Sequence, residues 1–349
     1  MTSYDAIVVG AGPAGSACAI RLALGGRRVL LLERSRFPRD KVCGDCLNPS
    51  AHPVLDRLGV GERVRALSHV IAHTVSYHGI ETPAVECPLR RTGEMVVKRR
   101  DLDDLLVRRA IELGVDFRDG VSVTGVTSGW TAEAGGQSYQ APWLLAADGR
   151  NSTVARLAGR LPAAARERTA IQCHCARPAW HGDAVRMLFY PEGYGGTAAV
   201  NEREINLCLV ARPQDLERVR ARAMEEFALP ADTEWRTIAP LSRGDATEVA
   251  KDGLLLLGDA AKVIEPFTGE GIYYAMRSGE LAAEAILAGS DVEASYRAAH
   301  RRMYHGRLWI NRLARAGGEH PRLATLGLRL SRLWPAPLEA LTARVVRAA

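Results

Sequence analysis

One segment near the start limits what this chain can fold into. The apolar strand Tyr4-Asp5-Ala6-Ile7-Val8-Val9 runs into Gly10-Ala11-Gly12-Pro13-Ala14-Gly15, an alanine-rich helix follows from Ala14 to Leu24, and a second apolar run, Leu30-Leu31-Leu32, ends in Glu33. That order of strand, glycine turn, helix, strand and acid is a dinucleotide-binding βαβ unit. Gly10 permits the tight turn, Gly12 lets a pyrophosphate approach the backbone, and Gly15 lets helix and strand pack closely. Glu33 is placed to accept the ribose hydroxyls. Its charge would repel a 2′-phosphate, so the site suits FAD or NAD better than NADP. Pro13, Ala14 and Arg34 are counted with these residues as cofactor contacts.

Two later segments decide between FAD and NAD. Leu254-Leu255-Leu256-Leu257 reads as a buried strand ending in Gly258-Asp259, and Trp143-Leu144-Leu145-Ala146-Ala147 as another ending in Asp148-Gly149. With the three segments in this order, the chain resembles the FAD-dependent superfamily of aromatic hydroxylases (para-hydroxybenzoate hydroxylase type), geranylgeranyl reductases and flavin halogenases, over about residues 4 to 290. The resemblance implies that Asp259 binds the ribityl chain. It also implies that Asp148-Gly149 lies near the flavin pyrophosphate and the path of the reducing nicotinamide, and that Arg99, opening a helix with Leu102, Leu105 and Leu106 on its apolar side, helps to hold FAD. FAD is therefore the expected cofactor, with NADPH or NADH as reductant.

The FAD segments are dispersed, so the cofactor domain cannot be a simple N-terminal half. The expected fold class is α/β: a Rossmann-type FAD-binding domain made of 1–67, 98–165 and 245–290, interleaved with a mostly antiparallel β-sheet substrate domain made of 68–97 and 166–244. A helical C-terminal segment, 291–349, follows. The stretches 73–77, 93–97, 169–173, 185–190 and 205–210 are rich in apolar and β-branched residues and are expected to form the sheet that covers the flavin.

A chain of 349 residues can bury a sizeable core. It has no run of 18 apolar residues and its first residues lead straight into the strand rather than a secretion signal, so a cytoplasmic location is expected. Seven cysteines do not suggest a disulfide framework. Cys43-x-x-Cys46 could be a redox pair or half a zinc site, but Cys173 and Cys175 alternate onto one strand face, so buried thiols and no metal are the better expectation. The formal charge of +6 is uneven: Arg297 to Arg347 holds 11 arginines against Glu319 and Glu339. That tail is either a solvated helical face or a basic amphipathic surface in peripheral contact with an anionic membrane or an acidic partner. No nucleic-acid motif accompanies the charge.

Glu265-Pro266-Phe267-Thr268-Gly269-Glu270-Gly271-Ile272 reads as an extended loop entering a close-packed helix through Ile272, Ala275, Met276, Gly279, Ala282 and Ala283. Backbone N–H groups there can stabilise negative charge on reduced flavin, so Pro266, Gly269, Gly271 and Ile272 join the cofactor-binding set with Gly258. This loop and Phe37-Pro38-Arg39-Asp40-Lys41-Val42-Cys43-Gly44 resemble the geranylgeranyl reductases. The reductases' Tyr-x-Trp-x-Phe-Pro-Lys stretch has only Gly193-Tyr194-Gly195-Gly196-Thr197-Ala198 as its counterpart, and the halogenase Trp-x-Trp-x-Ile-Pro motif is absent. No acid–base pair stands out; His73, His78, His174 and Tyr194 are candidates by location alone. Three functions follow. A monooxygenase hydroxylating an apolar aromatic or polyketide-like molecule is placed first, on the complete Asp148 to Arg156 segment and on the missing Trp and Pro-Lys of the reductase stretch. A reductase of carbon–carbon double bonds in a prenyl or other lipid substrate is second, and an FAD-binding assembly protein acting on a protein partner is third.

Overall fold

The computed structural model describes residues 4–89, 93–164 and 168–346, without the side chain of Phe267; Arg347 of the basic tail lies outside these. A six-stranded sheet carries the glycine turn. Its order is 250–251, 254–256, 143–146, 6–9, 29–32 and 116–118, parallel except for the 250–251 edge. The central strands Ala6–Val9, Val29–Leu32, Trp143–Ala146 and Leu254–Leu256 are almost wholly buried. Unbroken aliphatic runs are what a parallel sheet covered on both faces requires. One face is covered by the helices Pro13–Leu24 and Gly271–Ala288. The other is covered by a three-stranded antiparallel sheet, Val123–Thr127, Thr131–Ala134 and Gln137–Gln140.

The two helices touch backbone to backbone. A Cβ on Gly279 would lie 2.2 Å from the Ala14 carbonyl oxygen, and one on Gly15 would lie 1.9 Å from the Gly10 carbonyl oxygen. Ser278 locks the crossing to the sheet: its Oγ accepts the Gly258 N–H at 2.8 Å and donates to the Ala275 carbonyl at 2.7 Å. Tyr296, fully buried, donates to the Leu256 carbonyl from the next helix, Val292–Met303.

A seven-stranded sheet forms the second layer, in the order 236–238, 169–176, 204–211, 193–199, 185–190, 74–78 and 85–88. Every pairing is antiparallel except 185–190 with 74–78. Three further helices, Leu308–Glu319, Pro321–Leu333 and Ala336–Val345, complete the C-terminal segment. The chain is thus a mixed α/β protein with a parallel sheet, a mostly antiparallel sheet and C-terminal helices.

Two expectations are corrected. Residues 93–97 do not join the large sheet: Glu94–Val97 is the middle strand of a separate antiparallel sheet with Cys46–Leu47 and His69–Ala72. Asp45 holds it there, its carbonyl accepting Val97 N–H at 2.9 Å and its carboxylate accepting Arg99 N–H at 3.1 Å. The stretch after Glu265 is a tight 3₁₀ turn, Pro266–Thr268, rather than an extended loop, because Gly269 closes it in the left-handed region at φ 66°.

The helix crossing yields a test. Gly279→Val must push the helices apart and should cost about 3 kcal/mol in denaturant unfolding. Gly327 sits mid-helix with open space around it, so Gly327→Ala should stabilise by about 0.5–1 kcal/mol. Equal effects of the two would contradict the packing described.

Candidate functional site

The glycine turn, the Asp148 and Gly258 strand ends and the Pro266–Gly271 turn converge on one cavity of about 710 Å³. Gly10, Gly12, Pro13, Ala14, Glu33, Arg34, Arg99, Asp148, Asp259, Pro266, Gly269, Gly271 and Ile272 all line it. Gly15 and Gly258 do not; they pack behind it, Gly15 against Gly10 and Gly258 against Ala14 and Ala275. The three fingerprint glycines therefore have different reasons. Gly10 is at φ +101°, and a Cβ there would meet the Ala147 carbonyl at 2.4 Å, whereas at Gly12 it would meet only Arg39 Nη2, at 3.7 Å. The room above Gly12 is the space a pyrophosphate needs.

Glu33 is buried and its carboxylate accepts Ala11 N–H at 2.9 Å and Ser35 N–H at 3.0 Å, with Arg39 Nη2 3.7 Å away. Besides facing the cavity it holds the turn's shape. Helix Pro13–Leu24 has no side chain capping its N-terminus, so its first N–H groups and the positive end of its dipole remain for an anion. Asp148 Oδ2 accepts Thr153 N–H at 2.6 Å and Val154 N–H at 3.2 Å, while its Oδ1 is buried without a partner. Asp259 Oδ2 receives Arg150 Nη2 at 3.1 Å, and Arg150 Nη1 donates to the Leu241 carbonyl. Arg99 forms a two-pronged ion pair with Asp103 at 2.8 Å, shared with Arg39 at 3.1 Å.

Lys41 was quoted in sequence only as part of a motif, yet it faces the same cavity. Burial, followed by the charges of Arg99, Arg39, Arg150 and Arg34, pushes its ammonium down to about 8. A half-buried cation crowded by arginines, a helix start without a cap and the open face of Gly12 are what a dinucleotide diphosphate satisfies. The residues fit FAD. Gly12, Ala14, Arg39 and Lys41 would meet its phosphates, Glu33 its adenosine ribose and Asp259 its ribityl chain.

Beyond the turn, the cavity runs on to the large sheet, where Val75, Tyr77, Ala170, Met187 and Val210 line it, and to Val345 and Val346 of the C-terminal segment. Between the two ends lie groups from distant parts of the chain. Glu94, 4% exposed, lines the cavity beside Gly269, whose Cβ position is 2.8 Å from Glu94 Oε1. That oxygen is buried without a partner, and burial followed by the nearby Glu270 charge pushes the carboxyl up to about 7. Cys43, Cys46 and Cys208 also line the cavity, all three free and all with thiols raised by burial. Asp45 fixes their loop, receiving Asn206 Nδ2 at 2.5 Å and His174 Nε2 at 2.7 Å. Only long-range pairing brings these residues together, so no local motif could announce them.

The remaining candidates have other roles. His174 is the Asp45 partner just described. His78 Nε2 lies 2.8 Å from Ser76 Oγ, and burial holds its imidazole down to about 4. Tyr194 lines the cavity but donates to Glu265 Oε1 at 2.8 Å, and Glu265 also takes Arg168 and Arg315. His73 does not line the cavity. Glu270 is buried and paired with Arg307 at 3.3 Å rather than being a surface charge.

A βαβ phosphate turn opening onto an apolar sheet-lined cavity defines a flavin-dinucleotide enzyme. Residues 3–290 match the model of the FAD binding domain family, to which the chain belongs, and it is an FAD-dependent oxidoreductase. It is 32% identical over 320 residues to menaquinone reductase of Mycolicibacterium smegmatis, covering 82% of this chain and 77% of that one. It is 31% identical over 323 residues to digeranylgeranylglycerophospholipid reductase 2 of Methanopyrus kandleri, covering 81% and 78%. Conditioned medium factor receptor 1 of Dictyostelium discoideum is 29% identical over 330 residues, 81% of this chain but 63% of the longer relative. The structure of the flavin-dependent brominase Bmp2 superposes with a TM-score of 0.79 over 99% of this chain and 95% of that one; at 22% identity it establishes the fold alone.

Two outcomes follow. Gly12→Val should fold yet lose FAD, read as flavin absorbance after gel filtration, and Glu33→Ala should weaken retention by about 1.5–3 kcal/mol. Undiminished flavin in Gly12→Val would displace the phosphate site. For Glu94, the folded chain holds its proton to higher pH than the unfolded chain, so stability is intact below about 4.5 and is lost as pH rises toward about 7. Glu94→Gln keeps the neutral shape, so its advantage over wild type in urea unfolding should grow between pH 5 and 8 toward a ceiling on the order of 3 kcal/mol. A pH-independent difference would contradict the raised carboxyl.

Proposed function

We propose that this oxidoreductase is a reductase that saturates carbon–carbon double bonds in a long, apolar, isoprenoid-type substrate, with NADH or NADPH as the source of hydride. The observation that carries this reading is the continuous cavity in which buried, proton-bearing groups sit between the phosphate turn and an apolar sheet face. Saturating a double bond requires a hydride at one carbon and a proton at the other. Bound FAD supplies hydride transfer. The chain must orient the substrate, exclude water and deliver the proton.

The apolar wall of Val75, Met187, Val210 and Val346 gives an isoprenoid chain surface to pack on and excludes water. Glu94 and the thiols of Cys43, Cys46 and Cys208 are the cavity's neutral acids. Glu94 is the strongest of them, with a value near 7 that suits a general acid at neutral pH. The proton is therefore assigned to Glu94 Oε1, the oxygen with no other partner.

The monooxygenase expectation rests on the complete Asp148 to Arg156 segment and on the missing Trp and Pro-Lys of the reductase stretch. Asp148 caps the short Thr153–Leu157 helix and Arg150 braces Asp259, roles needed to build the site under either chemistry. The segment therefore does not separate the two. Three relatives above 30% identity are named as reductases, one of menaquinone and two of a digeranylgeranyl lipid, which supports reduction.

With NADH or NADPH and a detergent-dispersed polyprenyl substrate, turnover should proceed without oxygen and add two hydrogens per double bond, read by mass spectrometry. Glu94→Gln should lower kcat about a hundredfold with KM little changed. Wild-type kcat should fall as pH rises through about 7, where Glu94 loses its proton. Oxygen-dependent turnover that places labelled oxygen in the product would establish the monooxygenase instead.

A further inference from the structure

We propose that the exposed face of the Pro321–Leu333 helix docks on an anionic lipid bilayer, beside the C-terminal wall of the cavity. Leu323, Leu326, Leu330, Leu333 and the following Trp334 are 66%, 54%, 60%, 86% and 70% exposed. Their spacing of three, four, three and one residues puts them on one stripe of the helix. The opposite face is fixed to the protein: Thr325 Oγ1 accepts Ile80 N–H at 3.0 Å, and Leu328 packs into the cluster that contains Val75 and Met187. Among the described residues, seven of the eleven exposed large apolar side chains lie between Trp309 and Trp334. Scattered exposed leucines are ordinary, but a contiguous run of this kind marks a contact surface.

Charge selects the occupant. Arg312, Arg322, Arg329 and Arg332 are exposed around the stripe, and no acidic residue occurs from His320 to Leu338. Basic side chains rimming an apolar helix face complement the negative surface of an anionic bilayer, into which the leucines and Trp334 can insert. A second copy is disfavoured because an isologous contact would set these arginines against the same arginines with no acid between them. No helix among the described residues is long and apolar enough to cross a membrane, so the contact is with the surface.

The stripe is coupled to the cavity. Trp334 and Pro335 lead directly into the Ala336–Val345 helix, where Thr342 and Val345 line the cavity and Thr342 Oγ1 lies 2.9 Å from Tyr77 Oη. Docking by the first helix would present the second at the lipid boundary; that this admits a lipid substrate rests on the reductase reading, whereas docking itself does not.

The test is co-sedimentation of the FAD-loaded chain with vesicles of phosphatidylcholine alone or mixed with phosphatidylglycerol at about one part in three. Wild type should bind the mixed vesicles at low salt and bind phosphatidylcholine at least about tenfold more weakly. Leu323→Ser with Leu330→Ser, and separately Arg322→Gln, Arg329→Gln and Arg332→Gln combined, should each reduce binding about tenfold or more, with flavin absorbance and melting unchanged. Failure of wild type to bind the mixed vesicles overturns the proposal, as does a dimer in solution that the leucine variant dissolves. Turnover on detergent-dispersed substrate tests the reductase reading separately, so either can fail alone.

Discussion

The whole site depends on the contact between the helices Pro13–Leu24 and Gly271–Ala288. Gly279 lies against the Ala14 backbone, and Ser278 binds the N–H of Gly258 in the adjoining strand end. These contacts bring three distant pieces of chain together: the phosphate turn, the Gly258-Asp259 turn and the Pro266–Gly271 turn. With a side chain at Gly279, the second helix would stand off and carry the last of these away from the first. Close approach of backbones is costly to arrange but leaves little slack, which a cofactor gripped by several loops requires.

Much of the cofactor half was legible because local rules govern it. A parallel strand buried on both faces must be continuously aliphatic, a phosphate turn must contain glycine, and each leaves a mark within a few residues. The interleaving was legible for the same reason, since the marks lie far apart. The other half follows non-local rules. Glu94–Val97 looks like any apolar strand, and nothing within it says that Asp45 pins it into a small sheet beside the flavin turn. The strand Gly193–Ala199 was seen only as an imperfect motif because its glycines hide its β character, although its pairing with Glu204–Ala211 is continuous. Glu94, Cys46, Asp45 and Cys208 form one neighbourhood only after the sheets exist.

The basic tail shows how a charge count misleads without geometry. Arg297 donates to the Ala250 carbonyl, Arg307 pairs with Glu270 and Arg315 with Glu265, so part of the excess is spent inside the protein. Of the arginines that remain exposed, Arg322, Arg329 and Arg332 share a helix with the leucine stripe. Charge alone does not separate a solvated face from a membrane surface; the packing of Thr325 and Leu328 defines which face of the helix is free, and there apolar side chains face water beside the arginines.

Three of the buried acids share one pattern. Asp103 receives Arg39 and Arg99, Glu265 receives Arg168 and Arg315, and Glu280 receives Arg57 and Arg277. Each of these three is met by two guanidinium groups, which offsets the large cost of removing a carboxylate from water and leaves local positive charge over. Around the cavity this surplus accumulates. Arg34, Arg39, Lys41, Arg99, Arg150 and Arg236 line it, while Glu94 and Asp148, two acids that also line it, are pushed toward the neutral form by burial. Lys41 has no described carboxylate paired to it, and burial with the neighbouring arginines pushes its ammonium down to about 8. A doubly charged pyrophosphate held in this field would favour the charged form of Lys41 and pair with it. Glu94 lies at the far end of that field, beyond the turn at Gly269 and next to another acid rather than the arginines. The fold thereby keeps an anion-binding end and a proton-bearing end within one cavity, the division of labour that hydride and proton delivery to an apolar substrate requires.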